Sequence, residues 1–321
     1  MTNSITAREY YGGIIAIDSG MVRREMAACY LLETSGEVAL VEVGSNHSVP
    51  LILSALRRRG WSREQVSHVI VTHVHLDHAG GAGRLMQALP RATMVVHPRG
   101  ARHLVNPAQL EAGTRAVYGD AEFDAMYGGL VPVPEERVRI MDDGDTLSVG
   151  DRELWFIDTP GHAKHHFCIW DQQTRGWFTG DTFGISYRDL DTDHGAFIFP
   201  TTTPIHFDPP ALIASVERLM QKSPRYMYLT HFGRVGDTGR LAEKMIAGVR
   251  KLAEIGEKHS RSTARQLAIQ NDIRQWLIAG ARTHGVTLTE QQLKWVLEDD
   301  VVLNTQGIEY WLDHRAPQAT A

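Results

Sequence analysis

Residues 72–81 read Thr72-His73-Val74-His75-Leu76-Asp77-His78-Ala79-Gly80-Gly81, with four metal-philic side chains in the six positions 73–78. They follow the β-branched run Val66–Thr72, which reads as a strand. Side chains of an extended segment alternate with a period of two, so His73, His75 and Asp77 are expected on one side. A turn beginning at Asp77 would swing His78 back toward the same cavity, and Gly80 and Gly81 permit a tight start to the next helix. A lone histidine at a strand end is usually a hydrogen-bonded structural residue. Three imidazoles and a carboxylate this crowded would repel as cations and be costly to bury unpaired. A divalent cation removes both problems, and the spacing points to a metal site.

Outward from this stretch the chain alternates β-rich runs with helices. Upstream, Gly13–Ile17, Cys29–Glu33 and Val38–Val43 read as strands, and Pro50–Arg59 as an amphipathic helix. Downstream, Thr93–His97 is a strand, and residues 98–135 are irregular, with helices and a long loop. A second series follows: Arg137–Met141, Glu153–Ile157, Phe167–Trp170 and Trp177–Thr179, with Asp171–Gly176 as a hairpin turn. Asp208 and Pro209 open a helix as N-cap and first-turn proline, and Tyr226–Thr230 reads as the last strand. Two β-rich halves, each with helices, predict two packed sheets with helices outside, an α/β architecture.

Past Gly239 the pattern turns helical: Leu241, Met245, Val249, Leu252 and Ile255 share one face, and Leu267, Ile273, Trp276 and Leu277 another. Thr289 and Gln292 form a capping box for a helix through Leu297. The expected division is a main domain over 1–238 and a helical extension over 239–321, packed on the pocket. Trp276, Trp295, Tyr310 and Trp311 are expected to pack that extension, and Ala316–Ala321 reads as a frayed tail.

Composition excludes several classes. The 33 Lys and Arg against 38 Asp and Glu give a net charge of −5 without a basic tract, against a nucleic-acid groove or a membrane-surface stripe. Two cysteines, Cys29 and Cys168, are too few for a disulfide framework or a thiolate metal site. Residues 1–9 lack a basic n-region and apolar h-region, so a cytoplasmic protein is expected. Oligomeric state is not legible, and a homodimer stays open.

The stretch His73-x-His75-x-Asp77-His78 resembles the signature of the metallo-β-lactamase fold hydrolases, and that family's other segments follow in order. Thr159-Pro160-Gly161-His162 looks like its third histidine segment, Gly180-Asp181 its bridging-carboxylate segment, and Leu229-Thr230-His231-Phe232-Gly233 its final one. The match covers roughly residues 12–235. The resemblance implies a four-layer αββα sandwich with metals at one edge of the sheets. It also implies one metal held by His73, His75 and His162, a second by Asp77, His78 and His231, and Asp181 bridging both. A hydroxide shared by the metals would attack a carbonyl or phosphoryl centre, with Asp77 orienting it and accepting its proton. Ligands without sulfur suit zinc, iron or manganese; hydrolysis needs no redox change, which favours zinc.

Departures narrow the branch. Neither cysteine falls at a ligand position and Asp181 fills the bridging segment, unlike true zinc β-lactamases. His75 stands where flavin-linked di-iron reductases carry glutamate. What survives resembles glyoxalase II, lactonases and esterase-like members, acting on an ester, thioester or lactone, with phosphodiesters next. An iron persulfide dioxygenase using His73, His162 and Asp181 stays open, as does a binding or signalling protein with residual hydrolysis. The expected partner is a small-molecule substrate, with Tyr187 and His206 as candidate contacts. His165 and His166 read as supporting or surface residues, His97 and His103 as hydrogen-bonded structural ones, and Asp18 and Glu42 as turn and hydrogen-bond support.

Overall fold

A computed structural model describes residues 7–202 and 204–315; the tail expected over 316–321 lies outside the described residues. The chain forms two compact units. The first runs to Asp158 and adds His165–Gly180 and Pro224–Gly236; the second comprises Thr159–Lys164, Asp181–Ser223 and the chain from Asp237 onward.

The first unit holds both sheets. One has seven strands in sequence order: β1 (Ala7–Tyr10), β2 (Ile14–Asp18), β3 (Ala28–Thr34), β4 (Glu37–Val41), β5 (Val66–Ile70), β6 (Thr93–Val96) and β7 (Val138–Ile140). It is antiparallel from β1 to β4 and parallel from β4 to β7. The other has six strands: β8 (Thr146–Val149), β9 (Arg152–Asp158), β10 (Phe167–Asp171), β11 (Gly176–Gly180), β12 (Tyr226–Leu229) and β13 (Gly233–Val235), ordered β13-β12-β11-β10-β9-β8. Ile14, Ala16, Tyr30, Leu32 and Val41 of the first sheet meet Leu154, Phe156, Ile169 and Phe178 of the second. The alternate positions Ile15, Ile17, Leu31 and Leu40 pack on helices instead. Burial on both faces explains why these strands read as continuous apolar runs. The helices are α1 (Val49–Arg58), α2 (Leu76–Ala79), α3 (Ala82–Ala88), α4 (Pro98–Val105), α5 (Ala108–Tyr118) and α6 (Asp120–Met126). Ile52 and Leu56 of α1, and Leu85 and Met86 of α3, supply most of that helical cover.

The second unit contains α7 (Pro209–Met220), α8 (Thr238–His259), α9 (Arg265–Thr283) and α10 (Glu290–His314). Asp208 caps α7 through the Ala211 amide at 3.1 Å, with Pro209 in the first turn, and Thr289 and Gln292 form the capping box of α10, both as expected. Leu241, Met245, Val249, Leu252 and Ile255 are the buried face of α8.

Several expectations need correction. Tyr226–Leu229 is not the last strand: β13 follows it, three residues long, and its brevity hid it. The edge strands β1 and β8 also escaped, one exposed and polar, the other only four residues long. On α9 the buried stripe is Ile269, Ile273, Leu277 and Ala281, whereas Leu267 is 60% exposed. Leu267 precedes Ile269 by two residues, about 200° around a helix, hence on the opposite face. The helix expected to close near Leu297 runs to His314, because Val301 and Ile308 prolong its buried face past Glu298-Asp299-Asp300. Trp295 is 65% exposed and packs nothing into a core, whereas Trp311 meets the Phe207 ring at 6.0 Å.

Candidate metal centre

Strand β5 ends at Ile70, the chain bends at Thr72 and His73, and His75, its backbone extended, stands at the N-cap of α2. His73 and His75 therefore lie on the segment that joins β5 to α2, whereas Asp77 and His78 lie within a helical turn. The expectation that Asp77 continues the extended alternation is corrected here. This change of backbone sorts the side chains into two sets. One ligand atom from each of His73, His75, His162 and Asp181 lies within 4.8 Å of the other three, and one from each of Asp77, His78 and His231 does the same. All seven residues expected as ligands fall in these groups, Asp181 with the first.

The ring nitrogens that face away from the groups are committed to fixed partners. His231 Nδ1 donates to the Met26 carbonyl at 2.8 Å, leaving Nε2 3.3 Å from Asp77 Oδ2. His162 Nδ1 lies 3.4 Å from the Thr201 carbonyl, and its Nε2 is 3.3 Å from Asp181 Oδ2. His78 sets Nδ1 3.2 Å from Glu42 Oε1 and Nε2 3.3 Å from Asp77 Oδ2. The Thr72 hydroxyl donates to Glu42, so its oxygen accepts from His73 Nδ1 at 3.1 Å, and His73 Nε2 then faces His75 Nδ1 at 2.8 Å. A neutral imidazole that donates to a carbonyl in this way, as His231 does to Met26, turns its other lone pair inward, as metal-ligating imidazoles require. With nitrogen and carboxylate donors, and His73, His78 and His162 fully buried, the residues present fit divalent cations.

Burial alone would push the Asp77 carboxyl up, but the charge of His78 and hydrogen bonds from His231 and His78 outweigh it and hold the group well below the ordinary aspartate range. Burial, and then the Asp77 charge, pushes the Tyr127 hydroxyl up. Gly180, at φ +47°, precedes Asp181, and a Cβ there would stand 2.4 Å from both His166 Nε2 and Thr72 Oγ1. Only glycine lets the chain pass so close.

Glu42, expected as turn and hydrogen-bond support, takes the second of those roles. It is buried, accepts from the Thr72 and Thr230 hydroxyls, and faces His78. The repeated dipeptides Thr72-His73 and Thr230-His231, each threonine reaching the same carboxylate, were the available signal. We expect Glu42→Gln to retain the fold and to lower metal affinity about 10–100-fold, because the new amide sets an N–H against His78 Nδ1. Chelator competition on the purified variant checks this, and unchanged affinity refutes it.

His165 and His166 are buried, their rings 6.1 and 4.8 Å from that of His73, so they support the centre from within. His97 is structural, accepting from Arg99 N at 3.1 Å and meeting Asp158 at 3.0 Å; His103 accepts from Arg102 at 3.3 Å. Asp18 accepts from Gly20 N and Glu25 N, a turn role as expected. Tyr187 is buried and its hydroxyl donates to Asp300 at 3.2 Å, and His206 is half-buried.

Residues 22–231 match the metallo-beta-lactamase superfamily. The metallo-beta-lactamase fold-containing protein ST1585 of Sulfurisphaera tokodaii is 25% identical over 228 residues, 70% of this chain and 79% of that one. A crystal structure of ST1585, given as from Sulfolobus tokodaii, has a TM-score of 0.64 at 20% identity, covering 92% of this chain and 98% of that one. A hydroxyacylglutathione hydrolase of Rhodopseudomonas palustris is 27% identical over 48% of this chain and 46% of its own length. An acyl-coenzyme A thioesterase of Gallus gallus is 30% identical over 35% of this chain and 40% of its own. The two sheets with their helices have the αββα fold class that the motifs implied, with α8–α10 as C-terminal helices.

Proposed function

Because the chain belongs to the metallo-beta-lactamase superfamily, we propose that it is a dinuclear metal-dependent hydrolase of an ester, thioester or lactone. The observation that carries this reading is the pair of ligand groups with inward-facing donors. His73, His75, His162 and Asp181 would hold one cation and Asp77, His78 and His231 the other; the family resemblance implies that Asp181 serves both. When bound, such a pair lowers the pKa of water toward neutrality and polarises an acyl oxygen. Asp77, whose Oδ2 lies 3.3 Å from both His78 Nε2 and His231 Nε2, would orient the attacking water. Glu42 and the carbonyls of Met26 and Thr201 keep the imidazoles in the required tautomers.

An ester-type bond is favoured because the relatives include a protein named as a hydroxyacylglutathione hydrolase and one named as an acyl-coenzyme A thioesterase. Zinc is our choice among zinc, iron and manganese, since hydrolysis needs no redox change. The substrate is proposed to be a small molecule met in the cytoplasm. Among the described residues no helix is long and apolar enough to cross a membrane.

Elemental analysis of purified protein, paired with thioesters, lactones, aryl esters and phosphodiesters, tests the proposal. We expect about two metals per chain and turnover of a thioester, lactone or aryl ester, lost on chelation and restored by metal. One iron per chain with oxygen uptake on a persulfide would overturn it in favour of a dioxygenase.

A further inference from the structure

The segment after Asp181 closes on itself. Ile185 N donates to Phe199 O at 2.8 Å and Phe199 N returns to Ile185 O at 3.1 Å, so residues 181–202 leave and come back as one folded loop. Two side chains one turn apart on α10 hold it. Asp300 Oδ1 accepts the Tyr187 hydroxyl at 3.2 Å, while Asn304 Oδ1 accepts Thr202 N at 2.6 Å and Thr202 Oγ1 at 2.7 Å. Asn304 Nδ2 donates to Pro200 O at 3.4 Å, so this one amide engages both of its ends. Asn304 is 1% exposed and Asp300 5%, and polar groups buried on a helix face cost stability unless they are bonded.

What the loop carries is a matter of its two ends. It begins at Asp181. It finishes at Thr201, whose carbonyl faces His162 Nδ1 at 3.4 Å, while His162 Nε2 stands 3.3 Å from Asp181 Oδ2. Asn304 therefore grips the residue next to the one that sets the His162 tautomer, some 140 positions away in sequence.

We propose that Asn304, backed by Asp300, is a positioning residue for His162 and Asp181, so that the C-terminal helix α10 tunes metal affinity through Thr202 and Thr201. The inference rests on the metal-centre reading above. It touches neither ligand directly. Its effect travels through one hydrogen-bonded loop, and a conservative change at Thr202 that keeps both bonds should be silent.

The test strips the full chain of metal, reloads it with Co(II), and measures affinity by chelator competition together with the visible Co(II) absorption. Asn304→Ala is expected to weaken one of the two ions about 10-fold or more and to shift the spectrum. Thr202→Val, which loses only the hydroxyl bond, should move both readouts in the same direction by less, and Thr202→Ser should match the unaltered chain. If Asn304→Ala fails to fold, Thr202→Val against Thr202→Ser decides alone. Equal losses of thermal midpoint in metal-free and loaded protein, with affinity and spectrum unchanged, would overturn the proposal and leave a structural bond. Should the unaltered chain take up no Co(II), the metal-centre reading falls with it; uptake by every variant alike sinks this inference only.

Discussion

His75→Ala is expected to lower turnover by about three orders of magnitude or more while leaving the fold in place. The magnitude follows from what is removed: Lewis acidity is worth several kcal/mol of transition-state stabilisation, and about 4 kcal/mol is roughly a thousandfold in rate. The fold should survive because His75 is only half-buried, makes no side-chain cap to α2 and belongs to none of the three apolar clusters among the described residues. Its Nδ1 meets His73 Nε2 at 2.8 Å, within hydrogen-bond distance. The variant should bind fewer metal ions per chain by elemental analysis and unfold at the midpoint of the metal-free parent. Asp181→Asn, which keeps the shape and removes the charge, should lose metal in the same way. Undiminished turnover by a protein verified free of metal would refute the mechanism outright.

The candidate ligands were legible and the partners of their supports were not, for a physical reason. Ligation needs particular side chains at short spacing on ordered backbone, so His73, His75, Asp77 and His78 declare themselves within one stretch. The supports are often backbone oxygens, as at Met26 and Thr201, and any residue type supplies one. Glu42 is distant in sequence from the histidine it faces, and only the neighbouring pairing of β4 with β5 brings them together. The sheet cores were readable for the opposite reason: Ile14–Ile17 and Ala28–Leu32 are buried on both faces, so nearly every position had to be apolar. Asp300 and Asn304 broke the apolar pattern of α10 because they bond a loop rather than a core, and a helix ending near Leu297 was the consequence.

Gly161→Ala is expected to cost on the order of 4 kcal/mol, the sum of a strained backbone and an overpacked contact. Gly161 has φ +119°, a conformation L-residues rarely adopt, and a Cβ there would stand 2.2 Å from Leu212 N and 2.4 Å from Leu212 Cα. Both are backbone atoms in the first turn of α7, so no flexible side chain can yield. Relief by moving the segment is resisted as well. Gly161 O accepts Asp208 N at 2.8 Å and Pro160 O accepts the Ser215 hydroxyl at 2.7 Å, which strap residues 160 and 161 to the same helix. Whichever side gives, the neighbouring His162 moves with it, so metal affinity should fall along with stability. Gly36→Ala is the matched control: its φ is +81°, but a Cβ there meets nothing within 4 Å, so only the backbone contribution of about 1 kcal/mol remains. Denaturant midpoints at unchanged slope separate the two. If both variants prove equally stable, the close approach to α7 is not what demands glycine in the Thr159–His162 segment, and the placing of His162 by that helix must be abandoned.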